Sequence, residues 1–322
     1  MWEFLIPLVL GLMFPSILFP FITNILITNR NDASEGIPEI ITSQNNGAYS
    51  TVLIEMEDGI INDMPLELYI VSVVLREMPA DFHSEALKAQ AVAARTYAVR
   101  QMQLGKKHDP ADVCVDSSCC QGFWDVESYL QSGGTSDDLA VIVNAVRDTS
   151  GKILIYENKP IDATYFSCSG GLTEDAVSVW GADVPYLKSQ KSPGEEKATH
   201  YTDTVHFSIN ELAAKLNIKL TDVWDFKIGE MTYTVGGGVD TIVICGKEFY
   251  GTKVRQLLGL KSTAFVMTQT GESVIITTKG YGHRVGMSQY GAEAMGITGK
   301  DYTEILFHYY QGVELVSIDD LY

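Results

Sequence analysis

A glutamate at the end of an apolar stretch has the setting that general acid catalysis needs. Glu77 follows residues Leu68–Leu75, which are apolar on nearly every side, as is typical of a helix inside a core. Ile70, Val73 and Val74 lie on the same helical face as Glu77. Burial on that face disfavours the charged carboxylate. Glu77 is therefore a candidate general acid that stays protonated near neutral pH.

Two basic residues in the next segment are candidates for orienting Glu77 or for holding an anionic ligand. Pro79 predicts the end of the first helix, because it disfavours helical geometry at the residue before it. The alanine-rich stretch that follows predicts a second helix that approaches its neighbour closely. Lys88 and Arg95 are seven residues apart and share one face of it. The alternative is a buried glutamate–arginine pair that only fixes the register of the two helices.

A histidine and three cysteines in one loop are candidate metal ligands. His108, Cys114 and Cys120 are spaced six and six residues apart, and Cys119 is adjacent. Thiolate and imidazole are the ligands that Zn²⁺ prefers, although the common C-x₂-C spacing is absent. A disulfide or free thiols are the alternatives, and it stays open whether Cys119 or Cys120 is the ligand. If zinc binds, a structural role in the long loop is favoured over a catalytic one.

Three long motifs resemble the stage II sporulation protein D family. They span Glu67–Tyr97, Ser167–Leu187 and Gly280–Gly296, and the resemblance covers about residue 50 to the C-terminus. It implies a membrane-anchored peptidoglycan lytic transglycosylase that acts during engulfment of the forespore. It also implies a preference for glycan strands stripped of stem peptides, and cooperation with the amidase that strips them. In this match, Glu77 corresponds to the catalytic acid of the family.

The second and third motifs supply candidates for contacts to a sugar. Hydroxyl groups, amides and one aromatic face form the kind of mixture that binds glycans. The alternatives are an ordinary strand-end turn in the second motif, and a helix cap with a packed tyrosine in the third. His283 is interpreted as a core histidine rather than a metal ligand. Besides Lys88 and Arg95, the substrate-binding candidates are Ser167, Ser169, Gly170, Ser288, Gln289 and Tyr290.

Charge and the N-terminal sequence restrict the location and the partners. The net charge of −18 argues against nucleic acid as an electrostatic partner. Residues 4–27 contain no charged residue, and about 20 apolar residues suffice to span a bilayer. We expect an uncleaved transmembrane anchor at 1–28, a polar linker at 29–50 and an extracytoplasmic domain at 51–322. The resemblance places that domain in the space between mother cell and forespore.

The order of the elements predicts an α+β fold without βαβ regularity, preceded by the transmembrane helix. Strands are predicted at 51–56 and in a hairpin of 152–157 with 161–167, and a helix is predicted at 136–151. Residues 200–280 carry a second block of strands and helices. Whether they form a sub-domain is left open by the sequence.

Three functional hypotheses follow from these residues. Most glycosidases need two carboxylates, but a lytic transglycosylase can use one, and this is the reading that the resemblance favours. Asp162 and Asp175 are the candidates for a second acid if the reaction is hydrolysis instead. The second hypothesis is a non-catalytic glycan-binding module that stimulates a partner amidase. A weaker third is a zinc hydrolase centred on His108, Cys114 and Cys120.

Overall fold

The computed structural model describes residues 49–105 and 107–321. The predicted anchor and nearly all of the predicted linker lie outside these residues. Among the helices that are described, none is long and apolar enough to cross a membrane.

The described residues form an α+β fold, as predicted. Its helices are α1 (Leu66–Glu77), α2 (Ser84–Leu104), α3 (Val126–Gln131), α4 (Ser136–Asp148), α5 (Ala176–Trp180), α6 (Ile209–Lys215), α7 (Gly251–Leu258), α8 (Gln289–Ile297) and α9 (Tyr302–Tyr309). Its strands are β1 (Thr51–Glu55), β2 (Ile61–Pro65), β3 (Val113–Cys114), β4 (Lys152–Tyr156), β5 (Lys159–Pro160), β6 (Tyr165–Phe166), β7 (Thr202–Ser208), β8 (Ile228–Tyr233), β9 (Val239–Ile244), β10 (Lys247–Tyr250), β11 (Phe265–Thr270), β12 (Ser273–Lys279), β13 (Met287–Ser288) and β14 (Glu314–Ser317).

Helix α2 lies at the centre of the part of the molecule that carries the first motif. It contacts α1, α4, α8, α9 and strand β4. Small side chains allow these approaches, and each of its alanines at 86, 89, 91, 93, 94 and 98 is fully buried. His83 caps its N-terminus by accepting a hydrogen bond from the Glu85 amide at 3.3 Å. The predicted close packing of the second helix is therefore confirmed.

Two short parallel pairings bring distant motifs together. Strand β3 pairs with β1, which places Cys114 opposite Glu55. Strand β6 pairs with β13, which joins the second motif to the third. The predicted hairpin is therefore only partly correct. Strand β4 turns back at Glu157 and pairs with β5, whereas 165–166 belong to a different sheet.

Residues 202–279 contain two three-stranded sheets, with strand orders β10–β9–β8 and β11–β12–β7. Together with α6 and α7 they enclose a hydrophobic cluster whose members all fall between 205 and 276. A cluster confined to one stretch of chain is what a sub-domain requires, and the sub-domain itself stays a prediction.

Candidate active site

Glu77 is the last residue of α1, where the sequence predicted a helix end. Met78 is extended (φ −134°, ψ 140°), which agrees with the restriction that Pro79 imposes. All residues from Tyr69 to Leu75 are buried. The apolar body of α1 therefore fixes the backbone from which the Glu77 side chain reaches a cavity.

The carboxyl of Glu77 has few hydrogen-bond donors. The Gly122 amide donates to Oε1 at 2.7 Å, and the Gln289 side chain approaches Oε2 at 3.4 Å. Burial raises the pKa of this carboxyl above the usual value for glutamate, while the Gly122 amide, Gln289 and the charge of Arg76 act in the opposite direction. A carboxyl in this setting is suited to deliver a proton near neutral pH.

The cavity beside Glu77 has a volume of about 530 Å³. Its walls come from the end of α1, the loop 117–122, residues 163–167 with β6, the turn 281–283, and Gln289. Glu77 is the only carboxylate among the described residues that line it. The described lining therefore offers one carboxylic acid, with no second carboxyl to position a water molecule.

The two candidates for a second acid lie elsewhere. Asp162 is largely buried, and burial raises the pKa of its carboxyl while the charge of Arg100 lowers it. Asp175 precedes α5 and accepts a hydrogen bond from the Ser189 amide at 2.6 Å. Neither residue lines the cavity of Glu77.

The predicted metal ligands form one cluster. Ligand atoms of His108, Cys114, Cys119 and Cys120 all lie within 4.8 Å of one another. His108 Nε2 is 3.5 Å from Cys119 Sγ and 3.3 Å from Cys120 Sγ, and all three cysteines are free thiols. The choice between Cys119 and Cys120 that the sequence left open does not arise, because both belong to the cluster. One imidazole and three thiols are a donor set that fits tetrahedral Zn²⁺.

The other ring nitrogen of His108 strengthens this assignment. His108 Nδ1 lies 3.2 Å from Oε2 of Glu55, the residue opposite Cys114. A carboxylate on the far side of an imidazole is the usual way in which a metal-binding histidine is oriented.

Gln121 and Gly122, the two residues that follow Cys120, connect the cluster to Glu77. Gln121 is buried between the Tyr69 and Tyr165 hydroxyls, at 3.2 Å and 2.8 Å. The next residue, Gly122, donates to Glu77. A Cβ at position 122 would lie 2.6 Å from Arg76 Cγ and 2.7 Å from Glu77 Oε1, so a larger residue here would displace one of these two side chains.

Arg95 and Lys88 were candidates for contact with Glu77 or substrate, and for both the structure corrects this prediction. Arg95 is fully buried and binds the Glu67 carboxylate with two nitrogens, at 2.9 Å and 2.6 Å. Lys88 pairs with Glu85 at 3.0 Å and with Asp148 at 3.5 Å. The alternative interpretation, a buried pair that fixes helix register, describes Arg95.

The candidates of the second motif divide into two groups. Ser167 lines the cavity of Glu77. Ser169 is fully buried, and both its amide and its hydroxyl donate to the carboxylate of Glu195. The amide of Gly170 donates to the same carboxylate at 2.8 Å. The full burial of Ser169 contradicts its predicted contact with a sugar, whereas the sugar-binding role of the partly buried Gly170 stays a prediction.

The third motif divides in the same way. Gln289 lines the cavity and also approaches Gln90 Oε1 at 3.5 Å. Ser288 is buried, caps α8, and donates its hydroxyl to Glu195, so its predicted contact with substrate is also wrong. Tyr290 packs edge-on against Phe82, with 5.0 Å between ring centroids, and does not line the cavity of Glu77.

His283 behaves as the predicted core histidine, although one edge reaches the cavity. Its ring packs against Phe166 and Trp180, and its Nδ1 accepts from the Val285 amide at 3.1 Å. Burial, with the nearby charge of Arg255, lowers its pKa to about 4. The imidazole is therefore neutral at physiological pH.

Sequence reasoning missed Gly122, Gln121 and Glu195. Glycine after a cysteine-rich loop is a weak signal, and the spacing of Gly122 from Cys120 does not by itself reveal that Gly122 contacts Glu77. Glu195 lies in a polar stretch whose pattern resembles an ordinary solvated loop.

Comparisons with known proteins identify the family of this chain. The family model described as "Stage II sporulation protein" matches residues 55–156, which include Glu77 and the cluster of His108 with three cysteines. Stage II sporulation protein D of Bacillus amyloliquefaciens is 45% identical over 264 residues, which cover 80% of this chain and 76% of that protein. The chain belongs to the stage II sporulation protein D family.

Further relatives extend the comparison. Stage II sporulation protein D of Bacillus subtilis is 41% identical over the same length, again with 80% and 76% coverage. The amidase enhancer of Bacillus subtilis is 29% identical over 301 residues, which cover 76% of this chain and 40% of that protein. Membership of the stage II sporulation protein D family places the chain among sporulation proteins.

Proposed function

We propose that the protein is a peptidoglycan lytic transglycosylase that cleaves the bond between N-acetylmuramic acid and N-acetylglucosamine. The observation that carries the proposal is Glu77, the single carboxyl lining its cavity among the described residues, with its pKa raised by burial. One acid suffices for this reaction because no water molecule has to be activated.

In the proposed mechanism, Glu77 first protonates the glycosidic oxygen and the bond to C1 of the muramic acid breaks. The carboxylate then accepts the proton of the C6 hydroxyl as that oxygen attacks C1. The products are a 1,6-anhydro-muramic end and a free hydroxyl on the departing sugar. The Gly122 amide holds Oε1 of Glu77 throughout, and Gln289 steadies Oε2.

The proposed setting is the cell wall between mother cell and forespore. Residues 1–28 would anchor the protein in the membrane and 29–50 would hold the domain away from it. We propose glycan strands without stem peptides as substrate, and a peptidoglycan amidase as partner. A relative whose name is "Amidase enhancer" supports the link to an amidase.

The chemistry of the new glycan end tests the proposal. Purified glycan strands should yield 1,6-anhydro-muramic ends, which borohydride does not reduce, and mass spectrometry should find them lighter by one water than reducing ends. Reducible ends would mean that water attacked C1, and the single-carboxylate mechanism would then be wrong.

The amidase enhancer relative also supports a second candidate function, a non-catalytic glycan-binding module that stimulates an amidase. This candidate predicts intact strands after incubation with the protein alone. It also predicts that Glu77→Gln stimulates the amidase as well as wild type does.

We further propose that His108, Cys114, Cys119 and Cys120 hold a structural Zn²⁺. The metal would fix the loop that leads to Gly122. Purified protein should contain about one zinc per chain by elemental analysis, and Cys120→Ser should lose it, whereas Cys245→Ser, outside the cluster, should keep it. Bound metal stabilises the native state by mass action, so chelation should lower the melting temperature. Metal-free protein with a Cys–Cys crosslink would contradict the proposal.

A further inference from the structure

Arg76 is a cation without an anionic partner beside the catalytic acid. It precedes Glu77 on α1, its side chain is exposed, and no carboxylate of the described residues lies within ion-pairing distance of it. Arg100 and Arg255 also have no carboxylate within ion-pairing distance among the described residues, and their guanidinium groups donate to backbone carbonyls. What distinguishes Arg76 is that its exposed side chain lies next to Glu77.

The side chain of Arg76 is held in place by apolar contacts. Its Cζ lies 5.6 Å from the centroid of the Trp124 ring, and its Cβ and Cγ lie beside Gly122. Trp124 is in turn fixed by its amide, which donates to the Ser72 carbonyl at 3.0 Å, and by an edge-on contact with Tyr129. A guanidinium stacked on an indole keeps its hydrogen-bonding edge free and loses little entropy when it binds a ligand.

Arg76 lines two cavities together with Glu77, and a third that Glu77 does not line. It lines the cavity of about 530 Å³, a smaller one of about 290 Å³ below the end of α1, and one of about 730 Å³ on the side of the metal cluster. Among the described residues it is the only lysine or arginine that lines any of the three. In the first two cavities the only carboxylate is Glu77 itself, so an additional anion meets little repulsion there.

From this geometry we infer that Arg76 is the binding site for a carboxylate of the substrate, the free lactyl carboxylate of a muramic acid that has lost its stem peptide. The inference rests on the proposed function and names the chemical class of strand that the groove selects. A planar guanidinium binds a carboxylate with two parallel hydrogen bonds. When a stem peptide is attached, the lactyl group is an amide and carries no charge. Arg76 would thus distinguish stripped strands from peptide-bearing ones.

Binding measurements on two matched strands test this. Stripped strands carry the free carboxylate, and the same strands coupled to methylamine by a carbodiimide carry a neutral amide of nearly the same size. Binding is measured by calorimetry on protein carrying Glu77→Gln, so that no strand is cut. We expect free-acid strands to bind roughly tenfold or more tightly than amide strands, as one charge-assisted hydrogen bond provides.

Variants of Arg76 decide where that preference arises. Arg76→Gln, added to the protein that carries Glu77→Gln, should weaken the binding of free-acid strands only and so bring the ratio of the two affinities to about one. Arg76→Lys should keep part of the preference for free-acid strands. Arg147→Gln, which removes an exposed arginine outside the three cavities, should leave the ratio unchanged. An unchanged ratio in Arg76→Gln, or an equal loss of affinity for both strands, would overturn the inference.

The outcome is separable from that of the proposed function. The ratio of affinities is measured without cleavage, so it is informative even if wild type forms no anhydro ends. A preference that depends on Arg76 in a protein that cuts nothing would leave the carboxylate site standing and remove the transglycosylase. Anhydro ends formed by a protein whose preference does not depend on Arg76 would support the transglycosylase and remove the carboxylate site.

Discussion

Glu77 and Glu195 are two shielded carboxyls in opposite circumstances. Glu195 accepts from three backbone amides and three hydroxyls, contributed by Ser169, Gly170, Gly171, Ser192 and Ser288. Glu77 has one short hydrogen bond, from Gly122, and one long contact, with Gln289. Hydrogen-bond donors compensate a buried carboxyl for the water that it loses on burial. The comparison teaches that burial alone does not make a carboxyl a candidate for catalysis, and that few donors and an adjoining cavity are what distinguish Glu77.

The largest effect that we predict is on catalysis by Glu77→Gln. The amide keeps the shape and can still accept from Gly122, but it can neither deliver nor take up the proton. Loss of general acid–base catalysis costs about 10²–10⁴-fold in rate, and we expect the upper end because one residue serves both steps. Release of anhydro ends measures the rate, and circular dichroism should show an intact fold. Undiminished release would remove Glu77 from catalysis.

Glu195→Gln should lower the stability of the fold and have no direct effect on the rate of catalysis. The substitution places an NH₂ group among donors that already point at the carboxylate, which leaves buried polar groups unsatisfied. We expect a loss of about 3 kcal/mol in the free energy of unfolding, measured by urea denaturation. Activity should fall only as far as the folded fraction falls. A stable Glu195→Gln with a much reduced rate would break the comparison, because Glu195 would then act on the reaction itself.

The smallest effect concerns pH. The folded-state pKa of Glu77 is raised by burial, so its contribution to stability is present below the unfolded value and is lost as pH rises through the folded value. Glutamine does not ionise, so Glu77→Gln does not lose stability in this way as the pH rises. Wild type should therefore become less stable relative to Glu77→Gln as the pH increases from 4 to 8. Melting temperatures across that range check the sign, and a difference that moves the other way would mean that the carboxylate of Glu77 is stabilised in the folded protein.

Local signals allowed much of this site to be predicted. The apolar run and Pro79 predicted the end of α1, and the residue types of the loop predicted that His108 and the cysteines lie together, while the metal itself stays a prediction. Arg95 was misassigned because periodicity shows which residues share a face, but not which neighbour that face meets. Here the neighbour is Glu67, in the first turn of α1, rather than Glu77 at its end.

The parts of the site that the sequence did not predict depend on contacts between distant segments of the chain. Glu195 collects donors from segments as distant as Ser169 and Ser288, and no local pattern records such a meeting. The pairing of β6 with β13 joins residues 165–166 to 287–288, which a search for neighbouring strands cannot find. The sequence therefore predicted the chemical groups better than it predicted their neighbours.

The short pairing of β6 with β13 also bears on when the groove comes into existence. One wall of the cavity contains β6, and Gln289 begins only after β13, more than a hundred residues later along the chain. Contacts of such large sequence separation form late, since a long loop must close before they are made. While the chain is still being synthesised, the segment with Glu77 is complete but Gln289, on the other side of the cavity, is not yet made. We therefore expect the cavity, and any activity that depends on it, to form only when nearly all of the sequence is in place.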